Sequence, residues 1–273
     1  MFSFKFKRRK HKETEAERKY IDREVKKIPK VISIIFLVYI LIFLGSMIWY
    51  FYFKSTYYIS TVEGSSMQPT INVNIQKESQ AEDLVYVNRR IKGERGDIVT
   101  IEVDGVKGKE KIIKRILAKE GDQVSIYVAD DGFYHVAIKY SWADKVEILQ
   151  EDYIKSYNEW RNSGNHAYEK VVGDVVYAKD FYNTFFGQED ENIVQIDGVL
   201  YYQIPKDKYF CLGDNRAYSN DSRSRGLFDK SRITGVAEII VKDGALSTGS
   251  LASKKINAIV SYYWKRLEKS FAR

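Results

Sequence analysis

The 273-residue chain has a single cysteine, Cys211, so no disulfide can close within it. Its three histidines, His11, His135 and His166, are scattered. With one cysteine they leave no ligand cluster of the spacing a zinc site needs, and neither a metal nor a cofactor is expected. None of the histidines has a recognisable catalytic context, although three histidines do not by themselves exclude a His-dependent triad. No internal repeat and no low-complexity block is present. Basic charge is missing from most of the chain. The formal charge is +7, and residues 1–30 hold twelve Lys/Arg and five Asp/Glu, so the tail carries all of it and the remainder is neutral. A globular part without net positive charge argues against nucleic acid as a partner.

One more absence organises the chain. Residues 31–53 contain no charged side chain and lie between Lys30 and Lys54. As a helix they would extend about 34 Å at about 1.5 Å per residue, against roughly 30 Å of bilayer hydrocarbon. Trp49, Tyr50 and Tyr52 crowd the C-terminal end, as an interfacial aromatic belt would. The basic region ahead of the run and the run itself are too long for a cleaved signal peptide, and no small-x-small site ends it. The expectation is an uncleaved, single-pass signal anchor. The positive-inside rule then puts the tail, 1–30, in the cytoplasm and residues 54–273 on the extracytoplasmic side of the cell membrane. Glu15/Lys19 and Asp22/Lys26 have helical spacing, so part of the tail is expected to be helical until Pro29 interrupts it.

The outer part reads as mostly β. Segments 84–87, 97–103 and 111–117 are rich in β-branched and aromatic residues, and the second alternates apolar and polar positions. Turns are expected at 94–97, around Gly105 and Gly108, and at Gly121-Asp122. Residues 208–212 and 236–241 are further strands. Between them, 125–202 is rich in Asp, Tyr, Trp and Asn and carries no chemical motif. Strand-like pieces at 124–128 and 171–177 and a more helical piece at about 147–161 mark it as an inserted lobe. The domain scheme is thus 54–124 with 203–243 as a core, 125–202 as the lobe, and 244–273 as an amphipathic tail. Residues 255–271 have helical periodicity, with Ile256, Ile259, Val260, Tyr263, Trp264, Leu267 and Phe271 on one face. This helix is too short for a second span. It either lies in the membrane interface or packs on the domain.

Three clusters carry chemistry together. Gly64-Ser65-Ser66-Met67-Gln68-Pro69-Thr70 follows the anchor; by itself it is a polar turn that presents hydroxyls. Serine needs a base, and without a credible histidine the candidate is a deprotonated lysine. That requires a pKa of about 7–8 in place of about 10.4, which desolvation can supply. Lys114, flanked by Ile112, Ile113 and Ile116, is the best-placed lysine; alone, it would pass for a surface lysine on an edge strand. The third cluster is 213–223, Gly-Asp-Asn-Arg-Ala-Tyr-Ser-Asn-Asp-Ser-Arg, too polar for a strand core.

In order, Gly64–Thr70, Arg95-Gly96-Asp97-Ile98-Val99, Lys114-Arg115 with Gly121-Asp122, and Gly213-Asp214-Asn215-Arg216 with Ser219, Asp221, Arg223 and Gly226 resemble the bacterial type I signal peptidases, anchor included. The motifs cover about a quarter of the outer domain. The resemblance implies a fold of coiled antiparallel sheets with an inserted lobe, and a Ser–Lys serine endopeptidase that removes signal peptides from exported preproteins, after small residues, through an acyl-enzyme. Ser66 matches the nucleophile and Lys114 the general base. Ser219 matches a serine that orients the lysine amine. Asp221 and Arg223 match a supporting ion pair, Asp214 and Arg115 a second one, and the backbone N–H of Ser66 an oxyanion donor. Signal peptides and membrane lipid are the implied partners, and the secretion machinery is a further candidate.

The sequence departs from the family at three places. Gly64 stands where some members have a serine that donates to the oxyanion. Ala118-Lys119-Glu120-Gly121-Asp122 replaces a Gly-x-Pro-Gly-Asp ending, and Ala217-Tyr218 replaces a more polar pair. Two other readings stay open: a specialised or inactive relative acting as a scaffold in surface-protein assembly, and a membrane-anchored binding module using the aromatic 125–202 lobe. A repressor-type Ser–Lys autoprotease would lack the anchor.

Overall fold

In the computed structural model, residues 14–75, 81–106, 108–128, 134–151, 153, 175–243 and 251–271 are described, and the chain divides between Ser55 and Thr56 into two units. The first is built on helix α1, Glu15–Thr56, which is 42 residues long. Thr14 and Glu17 cap it reciprocally: Thr14 N donates to Glu17 Oε2 at 2.7 Å, and Glu17 N donates to Thr14 Oγ1 at 3.4 Å. The helix runs through Pro29 instead of stopping there. A proline removes one backbone bond and crowds the preceding turn, a local loss that the turns on either side absorb; Ser33 Oγ donates to the Pro29 carbonyl at 2.8 Å. Among the described residues this is the helix long and apolar enough to cross a membrane, with a mean hydropathy of 2.8 over 18 residues and none of that window buried.

Among its described residues the second unit has twelve strands in two antiparallel sheets. The larger contains β1 (Tyr57–Glu63), β2 (Ala81–Asn88), β3 (Ile98–Gly105), β4 (Gly108–Lys119), β10 (Lys208–Leu212), β11 (Phe228–Asp229) and β12 (Ile233–Val241), in the order β1-β2-β12-β3-β4-β10-β11. The smaller contains β5 (Gln123–Val128), β6 (Tyr134–Lys139), β7 (Glu147–Ile148), β8 (Ile193–Ile196) and β9 (Val199–Gln203), ordered β7-β6-β5-β9-β8. Helices α2 (Val175–Phe186), α3 (Ser222–Arg225) and α4 (Leu251–Phe271) accompany the sheets.

Strand β4 is interior, not an edge. Lys114 lies opposite Val99 of β3 on one side. On the other side Arg115 lies opposite Leu212 of β10, after a one-residue register shift between Phe210 and Cys211. β4 continues through the turn Gly121-Asp122 into β5 of the smaller sheet. The Asp122 carboxylate, fully buried, fixes that joint by accepting from Arg95 Nε and NH2 at 2.6 Å each, Lys119 N at 2.9 Å and Ser141 N at 3.0 Å. Gly121 has φ +83, which favours glycine. The turn therefore holds without the family's usual proline.

Two expectations for 125–202 need correction. The described part of 171–177, residues 175–177, is the first turn of α2, not a strand; residues 171–174 lie outside the described residues. Val-Val-Tyr favours strands locally, but Phe181 and Phe185, one helical turn apart, are buried against Val124, Ile138, Tyr202 and Phe210, and that tertiary packing overrides the local preference. Residues 147–148, expected to begin a helix, pair with Ala137 and Ile138 as β7. Most of the expected helix, 152 and 154–161, lies outside the described residues.

Candidate active site

The loop after β1 is held from below. Gly64 is buried with φ +86, a left-handed backbone that strains any L side chain. Asn72, itself left-handed at φ 59, ties the loop down. Its Nδ2 donates to the carbonyls of Val62 at 2.7 Å and Gly64 at 3.0 Å, and its Oδ1 accepts from the backbone N–H groups of Glu82 at 3.1 Å and Asp83 at 2.9 Å. Met67, 1 % exposed, packs with Val62, Ile71, Val85, Val87 and Ile113. Burying such a side chain contributes roughly 1.5–3 kcal/mol, and it anchors the loop immediately beside Ser66, which stays half-buried.

Lys114 points from interior strand β4 toward that serine. Its Nζ lies 2.9 Å from Ser66 Oγ and donates to the Ile113 carbonyl at 2.7 Å. The residue is 3 % exposed. Burial pushes its pKa down to about 8; the nearby Asp221 carboxylate opposes this, and the Arg225 and Arg223 cations reinforce it.

The 213–223 run closes over both residues. Asn215 N donates to the Ser66 carbonyl at 3.1 Å, and Asn215 Nδ2 donates to the Ser65 carbonyl at 3.1 Å. Gly213 fills a gap only glycine fits: a Cβ there would stand 2.2 Å from Ser219 Oγ and 2.5 Å from the Ser66 carbonyl oxygen. Asp221 and Arg223 form a buried, two-pronged ion pair with both bonds at 2.8 Å, and the Asp221 carboxylate also accepts from Gly213 N at 3.0 Å. Burial pushes the Asp221 carboxyl up, but the Arg223 guanidinium, the Gly213 N–H and the adjacent Ser219 hydroxyl outweigh it and hold its pKa below the ordinary value. Arg115 grips Asp214 in the same way, at 2.8 and 2.6 Å, and Thr70 Oγ1 donates to Asp214 at 2.5 Å.

The structure thus brings Ser66, Lys114, Ser219 and both ion pairs into one region. Ser219 does not bond to the lysine amine. Its Oγ is buried, set against Gly213, and has no hydrogen-bond partner among the described residues; its influence on Asp221 comes from proximity without hydrogen-bond geometry.

A sequence model of the family described as "Signal peptidase, peptidase S26" matches residues 30–242. The chain belongs to this family. It is 29% identical over 224 residues to a protein named signal peptidase I P of Bacillus subtilis subsp. natto, covering 80% of this chain and 93% of that one. It is 32% identical over 183 residues to a signal peptidase I of Bacillus licheniformis, covering 66% and 73%. A crystal structure of a signal peptidase I from Enterococcus faecalis V583 aligns with 54% of this chain and 97% of that one, at 26% identity and a TM-score of 0.33. As an S26 member the chain is a serine peptidase, a hydrolase. The family match ends at 242, ahead of α4.

Several residues of this S26 site carry no sequence signal. The Arg115 guanidinium stacks 4.1 Å over the Tyr153 ring, and Arg216 pairs with Glu151, which also accepts from the Tyr153 hydroxyl. Glu151 and Tyr153 sit in a polar stretch, 65 residues from Arg216 in the case of Glu151, and only the fold unites them. Thr70 ends the Ser66 motif and Asn72 follows it, but their side-chain partners, Asp214 in one case and Val62, Gly64, Glu82 and Asp83 in the other, are set by the fold. A cavity beside the site, about 220 Å³, is lined by Val62, Ser66, Val85, Lys111, Ile113 and Lys114 among others.

Proposed function

We propose that this S26 peptidase is a membrane-anchored endopeptidase that removes signal peptides from exported preproteins by means of a Ser66–Lys114 dyad. The observation that carries the proposal is the 2.9 Å between Ser66 Oγ and Lys114 Nζ, where burial brings the lysine to a pKa of about 8. A neutral amine has two hydrogens and one lone pair. With one hydrogen on the Ile113 carbonyl, the lone pair is free to take the Ser66 proton. Oγ then attacks the scissile carbonyl carbon, and the C=O electron pair moves to the oxygen, stabilised by the backbone N–H of Ser66. Collapse breaks the C–N bond, and Lys114 returns its proton to the leaving amine. Neutral again, Lys114 takes a proton from water, whose oxygen attacks the acyl carbonyl carbon; the C–Oγ bond breaks and Lys114 returns the proton to Ser66 Oγ.

The cavity supports the substrate class. It lies beside Ser66 between residues 60–63 of β1 and 111–114 of β4. β1 is an edge strand, so an extended peptide can add to it by main-chain hydrogen bonds. The wall of Val62, Val85 and Ile113 and the limited volume suit small apolar side chains next to the cut. Gly64, with its left-handed backbone, supplies no side-chain donor; a backbone N–H or a water would be the second oxyanion donor. The Asp221–Arg223 and Asp214–Arg115 pairs hold the segments on which the dyad stands.

Residues 31–53 serve as the anchor, with the basic tail cytoplasmic and the catalytic unit outside. Substrate and enzyme then share the bilayer, which raises their effective concentration. The test is to incubate the purified full-length protein with a preprotein carrying small residues at the first and third positions before the cut. N-terminal sequencing should give the mature start, and Ser66→Ala should leave the preprotein intact. If wild type and Ser66→Ala leave equal amounts uncut, the proposal is wrong.

A further inference from the structure

Helix α4, Leu251–Phe271, lies outside the family match and is amphipathic in two senses. One side is half-buried: Ile259, Tyr262 and Tyr263 turn toward the body of the unit, where Tyr262 stands close to Glu238 of β12. The other side is exposed to solvent. Ile256, Val260 and Trp264, one turn apart, are 59%, 59% and 63% exposed. Of the single apolar face expected from the sequence, Ile259 and Tyr263 turn toward the sheet, and Ile256, Val260 and Trp264 face outward.

Charge says what the outward stripe fits. Residues 251–273 hold six Lys/Arg and one Glu, a net +5. Since 1–30 account for the whole chain's +7, residues 31–250 carry −5, and α4 is a basic element on an acidic unit. Lys265 is exposed on the polar face of the helix, and Arg266 donates to the Tyr262 hydroxyl at 3.0 Å on the side toward the body. An apolar stripe with a tryptophan, on a helix of net positive charge, is the composition of a helix that lies in the headgroup layer of an anionic membrane.

We propose that α4 is a second membrane contact, docking its Ile256–Val260–Trp264 stripe into an anionic lipid surface. The first half of the helix surface already packs on β12, so such docking orients the catalytic unit at the bilayer as well as tethering it. The inference rests on the proposed anchor only for keeping the unit near lipid.

The test uses the full chain reconstituted in vesicles, with a nitrobenzoxadiazole label at Val260→Cys or, separately, Ile256→Cys, and a control label at exposed Glu191→Cys. Cys211 is buried with its thiol pKa pushed up, so it does not compete for the label. In vesicles with about a third phosphatidylglycerol, lipid brominated in the upper acyl chain should quench the 256 and 260 labels at least about twofold more than the 191 label. The ratio should fall toward one in phosphatidylcholine alone, and should drop with Lys265→Glu. Equal quenching at all three positions overturns the proposal. So does a Val260 label shielded from iodide but not quenched by brominated lipid, which would put a second copy or another protein on the stripe. Flotation of the same vesicles reports the anchor separately: protein that floats without quenching at 256 and 260 refutes α4 docking alone, and protein that does not float refutes both.

Discussion

Lys114 Nζ stands 2.9 Å from Ser66 Oγ and 2.7 Å from the carbonyl oxygen of its own neighbour Ile113. That second contact fixes the amine on a strand with partners on both sides, so the distance to the serine is set by the sheet and not by a mobile side chain. It also makes the protonation state decisive, since an ammonium has donors for both oxygens and no lone pair for the serine proton.

The pH dependence follows. The Lys114 pKa is lowered from 10.5 to about 8 by burial. Below that value the lysine is protonated and cannot act as a base; above it the neutral form dominates. On the acid side kcat/KM for preprotein cleavage should rise about tenfold per pH unit and level off near pH 8. A profile flat from mildly acidic pH up to 8 would place the base elsewhere.

Arg223→Met should destabilise the unit by roughly 3–5 kcal/mol, because it leaves the Asp221 charge buried and unpaired. Both side chains of the pair are at most 4% exposed. The Asp221 pKa is held low in the folded state, so its contribution is present above the ordinary carboxylate value of about 3.9 and is lost as the pH falls through the depressed native one. Thermal melts at neutral pH and in acid read both effects: the variant's deficit should shrink as Asp221 protonates. A variant as stable as wild type at neutral pH would show that the pair does not hold the 219–223 segment.

Gly213→Ala should act on the rate more than on binding. The added methyl would meet Ser219 Oγ at 2.2 Å and the Ser66 carbonyl at 2.5 Å, and one of them must move. Displacing Ser66 by about 1 Å costs on the order of 10²-fold in kcat, while the cavity walls contributed by β1, β2 and β4 are untouched. Steady-state kinetics should show the fall in kcat with KM within about threefold.

Where sequence and structure agree, the information was local. The runs at 97–103 and 84–87 form β3 and β2 because β-branched and aromatic side chains pack well on a pleated surface, and both strands are buried along most of their length. Lys114 was conspicuous because isoleucines surround it. What could not be read needed partners distant in the chain. Nothing near 114 tells that β4 would be flanked by β3 and β10, which is what buries the amine. The first turn of α2 misled because Val175-Val176-Tyr177 favours strand, while the deciding contacts are made by Phe181 and Phe185. Glu151 reaches Arg216 across the fold, and no spacing rule announces such a pair. Ser219 lies where its motif puts it, but its hydroxyl points at Gly213 and Asp221, an orientation only the packed loop determines.

The central claim is that a neutral Lys114 activates Ser66, and Lys114→Arg tests it most directly. Arginine keeps the length and the positive charge but stays protonated at any usable pH. Single-turnover acylation by a preprotein, measured at neutral pH for wild type and Lys114→Arg under conditions where both melt alike, should fall by roughly 10²–10⁴-fold in the variant. Acylation within a few-fold of wild type would contradict the dyad.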